Sequence, residues 1–99
     1  MIEYGHFIGG KRVAGTSGRK QDVMQPMDGS VRGTVALASQ AELRAAVENP
    51  KAAQPKWAAT NPQRRVRVLM KFLELAARDY EELADILARE HGKTIADAR

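Results

Sequence analysis

The chain has 99 residues, a net charge of +4 and no cysteine. That length suffices for one small domain, and the missing cysteine excludes a disulfide framework, a cysteine metal site and a thiol nucleophile within the chain. Apolar residues make up 43%, but 16 of them are alanine and Leu, Ile, Val and Phe together number only 20, near the lower edge for a self-sufficient core.

Marginal stability is therefore expected of the chain by itself. No apolar run approaches the roughly 18 residues of a membrane span, and the opening stretch, with Glu3 early, lacks the apolar core of a signal peptide. A cytoplasmic location is expected, with neither membrane nor nucleic acid as partner.

From His6 to Ala14 two short apolar pieces, Phe7-Ile8 and Val13-Ala14, flank Gly9-Gly10. Two adjacent glycines can both take positive φ, as a tight two-residue strand connection requires. A phosphate-binding loop is the other use of such a pair, but no helix start and no Gly-Lys-Ser/Thr element follows, so a hairpin is expected. Gly15 to Gly18 reads as a loop. An extended piece from Gln21 to Gln25 follows and must end near Pro26. Asp28-Gly29 then forms a turn, beyond which Val31, Gly33, Val35 and Leu37 alternate with Arg32, Thr34, Ala36 and Ala38. That alternation predicts a strand with one apolar row against a core, and hence a second hairpin. Two isolated hairpins are poor structures in water, so this half requires the helices that follow or strands from elsewhere.

Ser39 with Glu42 three residues on is a capping box, and Leu43, Ala46 and Val47 share one helical face behind it. Pro50 disrupts that helix by removing a donor and restricting Asn49, which predicts a kink or restart there. Trp57 stays in phase with the earlier apolar face and is expected as a packing anchor between helices in preference to a ligand-stacking ring.

Asn61-Pro62 reads as cap and first residue of the next helix, in which Val66, Leu69, Met70, Leu73, Ala76, Ala77 and Tyr80 recur at intervals of three and four. Its first turns carry Arg64, Arg65 and Arg67, with Lys71 following, at the end of the helix dipole that favours carboxylates. These cations therefore call for outside partners. Phosphate or nucleic acid is one class; the favoured reading is a solvated or subunit-facing patch paired with acids such as Glu42 or Glu48, because no interleaved aromatics accompany it.

Asp79 to Glu82 is acidic and marks a bend or the start of a third helix, with Leu83, Ile86 and Leu87 as its expected buried face. Gly92 supplies the left-handed residue that ends it, with His91 in the last turn. His91 and Lys93 beside Glu90 have the makings of an acid–base pair, but at a helix C-terminus cap and dipole complement is the preferred role. Thr94 with Asp97 three residues on is another start signal. Only a few residues follow it, fewer than a helix needs to repay its nucleation, so the chain is expected to be the front of a longer protein. No Ser/His/Asp set, paired-carboxylate cleft or metal-ligand spacing occurs, and no catalytic, cofactor-binding or metal-binding residue is assigned.

In order and wording these segments resemble the N-terminal portion of the NAD-dependent aldehyde dehydrogenase superfamily. FIGGKRVAGTSGR is similar to its opening hairpin, DVMQPMDGSVRGTVALAS to its second strand pair, and ELRAAVENPKAAQPKWAATNPQRRVRVLMKFLELA to its first helices. EHGKTIADAR and GTSGRKQDV resemble most the methylmalonate-semialdehyde dehydrogenase branch, which forms acyl-CoA from malonate- or methylmalonate-semialdehyde. The resemblance implies an α+β segment spanning 1–99, with strands over 6–38 in two hairpins and about three helices over 39–99, the front of an aldehyde dehydrogenase-like α/β fold. It also implies a thiohemiacetal on a catalytic cysteine, hydride transfer to NAD and acyl release to CoA, with that machinery downstream of the matching segment. Arg65, Glu90, Gly92 and Lys93 match recurrent family positions, Trp57 matches a helix-packing aromatic, and Pro50 departs from the usual continued helix.

Three functional expectations follow. The first is an N-terminal part of a (methyl)malonate-semialdehyde dehydrogenase, inactive by itself, whose complete relatives are oligomeric oxidoreductases using NAD and CoA. The second is a small basic helical module using Arg64 to Lys71 to bind an acidic partner or nucleic acid. The third is a fragment that complements the remainder of a split dehydrogenase.

Overall fold

The computed structural model describes residues 1–99. Five short strands precede four helices: β1 Ile2–Tyr4, β2 His6–Ile8, β3 Lys11–Val13, β4 Lys20–Met24, β5 Val31–Ala36, α1 Gln40–Ala59, α2 Pro62–Arg78, α3 Tyr80–His91 and α4 Ile95–Ala98. They fall into two compact units, Met1–Met24 with Ser30–Ala58, and Gln25–Gly29 with Ala59–Arg99.

In the first unit Gly9 and Gly10 have φ of 61° and 75°, the pair of left-handed residues that a mirror-image two-residue turn needs. Across it β2 and β3 pair antiparallel, His6 opposite Val13 and Ile8 opposite Lys11, so the first expected hairpin is in place. The second pairs β4 with β5 antiparallel, Lys20 opposite Ala36 and Val23 opposite Gly33; the register then shifts so that Met24 faces Val31. Arg32 is thereby the extra residue of a bulge, which raises the local twist.

β1 is a correction to the sequence reading, since it lies ahead of the expected 6–38 strand region. It pairs parallel with β5, Ile2 opposite Gly33 and Tyr4 opposite Val35, giving a three-stranded sheet in the order β1-β5-β4. The missing third strand is thus supplied by the chain's own start. Gly33 permits the pairing: it is the buried residue of β5, and the Ile2 carbonyl oxygen occupies the place a Cβ would take. Lys20 Nζ reaches over the central strand to Glu3 Oε1 at 2.8 Å, and that contact holds the Glu3 carboxyl below its ordinary range. Of the expected apolar row, Val35 and Leu37 are half-buried and Val31 is exposed, because this face of the small sheet is only partly covered.

The capping box of α1 forms as the sequence indicates: Glu42 N–H donates to Ser39 Oγ at 3.1 Å and Ser39 N–H donates to Glu42 Oε2 at 2.8 Å. Of the kink or restart expected at Asn49, the restart does not occur: α1 runs unbroken through Pro50 and Pro55. Each proline removes one helical donor and so frees the carbonyls of Ala46 and Lys51; Lys51 is exposed and Ala46 half-buried, positions that water can reach.

In the second unit Asn61 caps α2 by accepting from Gln63 N–H at 2.8 Å, with Pro62 in the first turn. Asp79 both ends α2 and precedes α3, its N–H donating to Leu75 O and its carbonyl accepting from Leu83 N–H. Its carboxylate makes no cap hydrogen bond, because Arg78 engages both oxygens at 2.7 and 2.8 Å and holds the Asp79 carboxyl below its ordinary range. The buried face of α3 is also a correction: Ala84 is 3% exposed and Ala88 is buried with it, whereas Leu83, Ile86 and Leu87 are exposed. Two alanines one turn apart admit a close neighbour that the leucines would hold off. Gly92 ends the helix at φ 82° with its N–H donating to Ala88 O at 2.8 Å. Thr94 caps α4 by accepting from Asp97 N–H at 3.2 Å, and Arg99 returns to Glu81 at 2.9 Å.

Candidate functional site

The apolar spacing of α2 gives a strongly amphipathic helix, yet none of its residues is buried. At about 100° per residue, Leu75, Val68, Phe72, Leu69, Leu73, Val66 and Met70 follow one another around roughly 220° of its circumference. All seven are exposed; Val68 is 55%, Leu73 60% and Phe72 71% accessible. The remaining arc is polar and carries Gln63, Arg64, Arg67, Lys71, Glu74 and Arg78. Where the two arcs meet, Arg67, Met70, Lys71, Leu73, Glu74 and Ala77 line a shallow open furrow.

This geometry divides the basic cluster seen in the sequence. Arg64, Arg67 and Lys71 lie on the polar arc, where Lys71 Nζ pairs with Glu74 Oε1 at 2.9 Å. Arg65 falls within the apolar arc; it is half-buried and its Nε is buried with no hydrogen-bond partner. The two acids expected to pair with the cluster each have contacts within the first unit. Glu48 lies 3.8 Å from Lys51, and Glu42 is bound to backbone N–H groups.

Glu42 organises a junction in the first unit. Besides Ser39, its Oε1 accepts from Thr16 N–H at 2.7 Å, and these backbone donors, Ser39 first and then Thr16, hold its carboxyl at about 2. Ser17 Oγ donates to Leu37 O, and Arg19 Nη2 donates to Ala38 O at 2.8 Å, so the 15–19 loop is fastened to the start of α1. The sequence reading found the Ser39–Glu42 box but not Thr16, which is remote in sequence and carries no local signal.

The other residues considered for chemistry do not converge. Gly9 and Gly10 close a hairpin, and the Asn49 side-chain amide stands 3.1 Å from where a Gly9 Cβ would project. His6 Nε2 is buried without a hydrogen-bond partner, close to Gly15, whose missing side chain leaves room for it and for Ala36. His91 is exposed and Lys93 half-buried on either side of Gly92, where a Cβ would press on Pro26 at 3.3 Å. Trp57 is 44% exposed, so the expected packing anchor has no full cover. With Leu43 and Val47 it forms a seam about 80° wide on α1. No three His, Cys, Asp or Glu side chains group to hold a metal ion, and no helix is long and apolar enough to cross a membrane.

Comparison with known proteins gives these surfaces a context. The backbone matches that of a provisionally assigned methylmalonate-semialdehyde dehydrogenase of Sinorhizobium meliloti 1021, solved with NAD, at a TM-score of 0.92 and 67% identity, over 99% of this chain and 20% of that one. A methylmalonate-semialdehyde dehydrogenase of Oceanimonas doudoroffii matches at 0.91 and 34% identity, over 99% of this chain and 20% of that one. In sequence the chain is 40% identical to malonate-semialdehyde dehydrogenase 2 of Geobacillus thermodenitrificans over 94% of its length and 19% of the relative's. It is 39% identical to the human acylating, mitochondrial methylmalonate-semialdehyde/malonate-semialdehyde dehydrogenase over 93% of its length and 17% of the relative's. The chain thus spans about a fifth of the length of these relatives. With the aldehyde dehydrogenase family pattern matched across residues 13–99 on this α+β arrangement, the chain belongs to the aldehyde dehydrogenase family.

Proposed function

We propose that these 99 residues are the N-terminal part of an NAD-dependent, CoA-acylating malonate- or methylmalonate-semialdehyde dehydrogenase, and that they have no activity alone. The observation that carries the proposal is the 67% identity, along nearly the whole chain, to the Sinorhizobium protein solved with NAD. Residues 1–99 are one structural segment of that enzyme, strands first and helices after, and contain none of its catalytic, cofactor-binding or metal-binding residues. Transfer of an acyl group to CoA through an enzyme thioester requires a cysteine thiolate, and the chain has no cysteine. Gly9-Gly10 is spent on a hairpin turn and opens no helix toward a pyrophosphate, so NAD and CoA belong to the remainder of the enzyme. That remainder, or a homo-oligomer built from it, is the partner, and its location is the cytoplasm.

A chimera tests the proposal: residues 1–99 replace the matching fifth of the Sinorhizobium protein, and NADH formation is followed with methylmalonate semialdehyde, NAD and CoA. The chimera is expected to turn over at a rate comparable to its parent, and the 99-residue chain to produce no NADH. A folded but inactive chimera beside an active parent, or turnover by the 99-residue chain, would overturn it.

A further inference from the structure

Contiguous exposed apolar surface of more than a few hundred Å² marks an interaction site. On α2 the seven large apolar side chains are 37–71% exposed and together present roughly 700 Å². Leu69 stands near the midpoint of their arc, with Val66, Phe72 and Leu73 beside it. A single facing helix reaches this central stretch, roughly 500 Å² per copy, and two such contributions meet the approximately 1,000 Å² at which specific pairs begin. Charge decides the orientation. Residues 62–71 carry four cations and no acid, whereas 72–85 carry five acids and one cation. Two copies running in the same direction would set like charge on like; running in opposite directions, each basic half lies along the partner's acidic half, and the helix dipoles oppose.

We infer that α2 is a self-association surface whose occupant is a second copy of this chain, paired antiparallel about a twofold axis close to Leu69. A closed pair of this kind uses the same patch on both copies, so Val66 of one copy faces Phe72 of the other on either side of the Leu69 contact. At this interface size the pair is weak, with a dissociation constant on the order of 100 μM. In the dilute solutions of exchange mass spectrometry the chain is monomeric.

Sedimentation equilibrium of the 99-residue chain over roughly 5–500 μM, in about 20 mM sodium chloride, is the test. The mean mass should climb from 10.9 kDa toward twice that value. Leu69→Glu and Phe72→Glu place a charge in the contact and should hold the chain monomeric, with helicity unchanged because both side chains face solvent in the monomer. Phe7→Glu, at a 73% exposed position on β2, should pair like the wild type. Raising sodium chloride to about 300 mM should weaken the pair about threefold. With no cysteine in the chain, a short bismaleimide should join copies of Leu69→Cys and not copies of Ala76→Cys, whose thiols lie roughly 20 Å apart along an antiparallel pair. A wild-type chain that stays monomeric at about 500 μM, or pairing lost in Phe7→Glu and kept in Leu69→Glu, would overturn the inference. A mass that climbs past the dimer would overturn the twofold closure, and salt-independent pairing or equal cross-linking at both positions would overturn the antiparallel arrangement. A monomeric chain leaves the turnover expected of the chimera untouched, so the two proposals fail separately.

Discussion

Gly33→Ala is the most demanding perturbation of the sheet. A Cβ at this position meets the Ile2 carbonyl oxygen head-on, and Ile2 C and Tyr4 Cε2 each lie 3.2 Å away. The obstacle is backbone, so rotation of a side chain gives no relief. Overpacking of this kind costs about 1–3 kcal/mol, and a backbone clash places Gly33→Ala near the upper end, about 3 kcal/mol. β1 is held by three residue pairs, which makes its detachment the easiest escape. The β4–β5 hairpin, with five pairs, should survive. Amide exchange read by mass spectrometry is the assay: protection of the segment containing Ile2 to Tyr4 should fall roughly a hundredfold, the equivalent of that free energy. Thr34→Ala, on the same strand, should change it little. Equal protection in Gly33→Ala and wild type would refute the parallel β1–β5 register.

Glu42 has a folded-state pKa depressed from 4.5 to about 2, so its contribution to stability is complete above about pH 4.5 and is lost as pH falls through about 2. Helicity followed by circular dichroism from pH 6 to pH 2 should decline in that window, and Glu42→Gln should flatten the decline. Asn61→Ala removes the acceptor that caps α2 and should cost about 1 kcal/mol in a denaturant titration. Gly92→Ala forces a left-handed φ of 82° on a residue with a Cβ that presses on Pro26; a loss of about 1–2 kcal/mol is expected from the backbone alone. Arg99→Ala breaks an ion pair whose members are 50% and 68% exposed and should change stability by less than about 1 kcal/mol.

Features set by neighbours in sequence were legible before the structure. Ser39 with Glu42, Asn61-Pro62, Gly92 and Thr94 mark their helix ends because capping is a matter of three or four consecutive residues. The Gly9-Gly10 turn was equally plain. β1 was not, because three residues display no alternation and its parallel partner lies 31 positions away. Pro50 signals a kink or a restart, and the helix does not restart there, because the carbonyl that loses its donor can turn to water. In α3 the sequence shows a side rich in leucine, but which side is covered depends on the neighbour, and here the close approach is at Ala84 and Ala88. The same distinction governs α2. Its apolar residues could be named from spacing, and their exposure could not.

If this segment is a scaffold completed by the rest of a dehydrogenase fold, hydrogen exchange of α2 will differ between the 99-residue chain and the active chimera. Rapid exchange is expected across residues 66–75 in the 99-residue chain, and strong protection of the same amides in the chimera. Equal exchange in the two would contradict it.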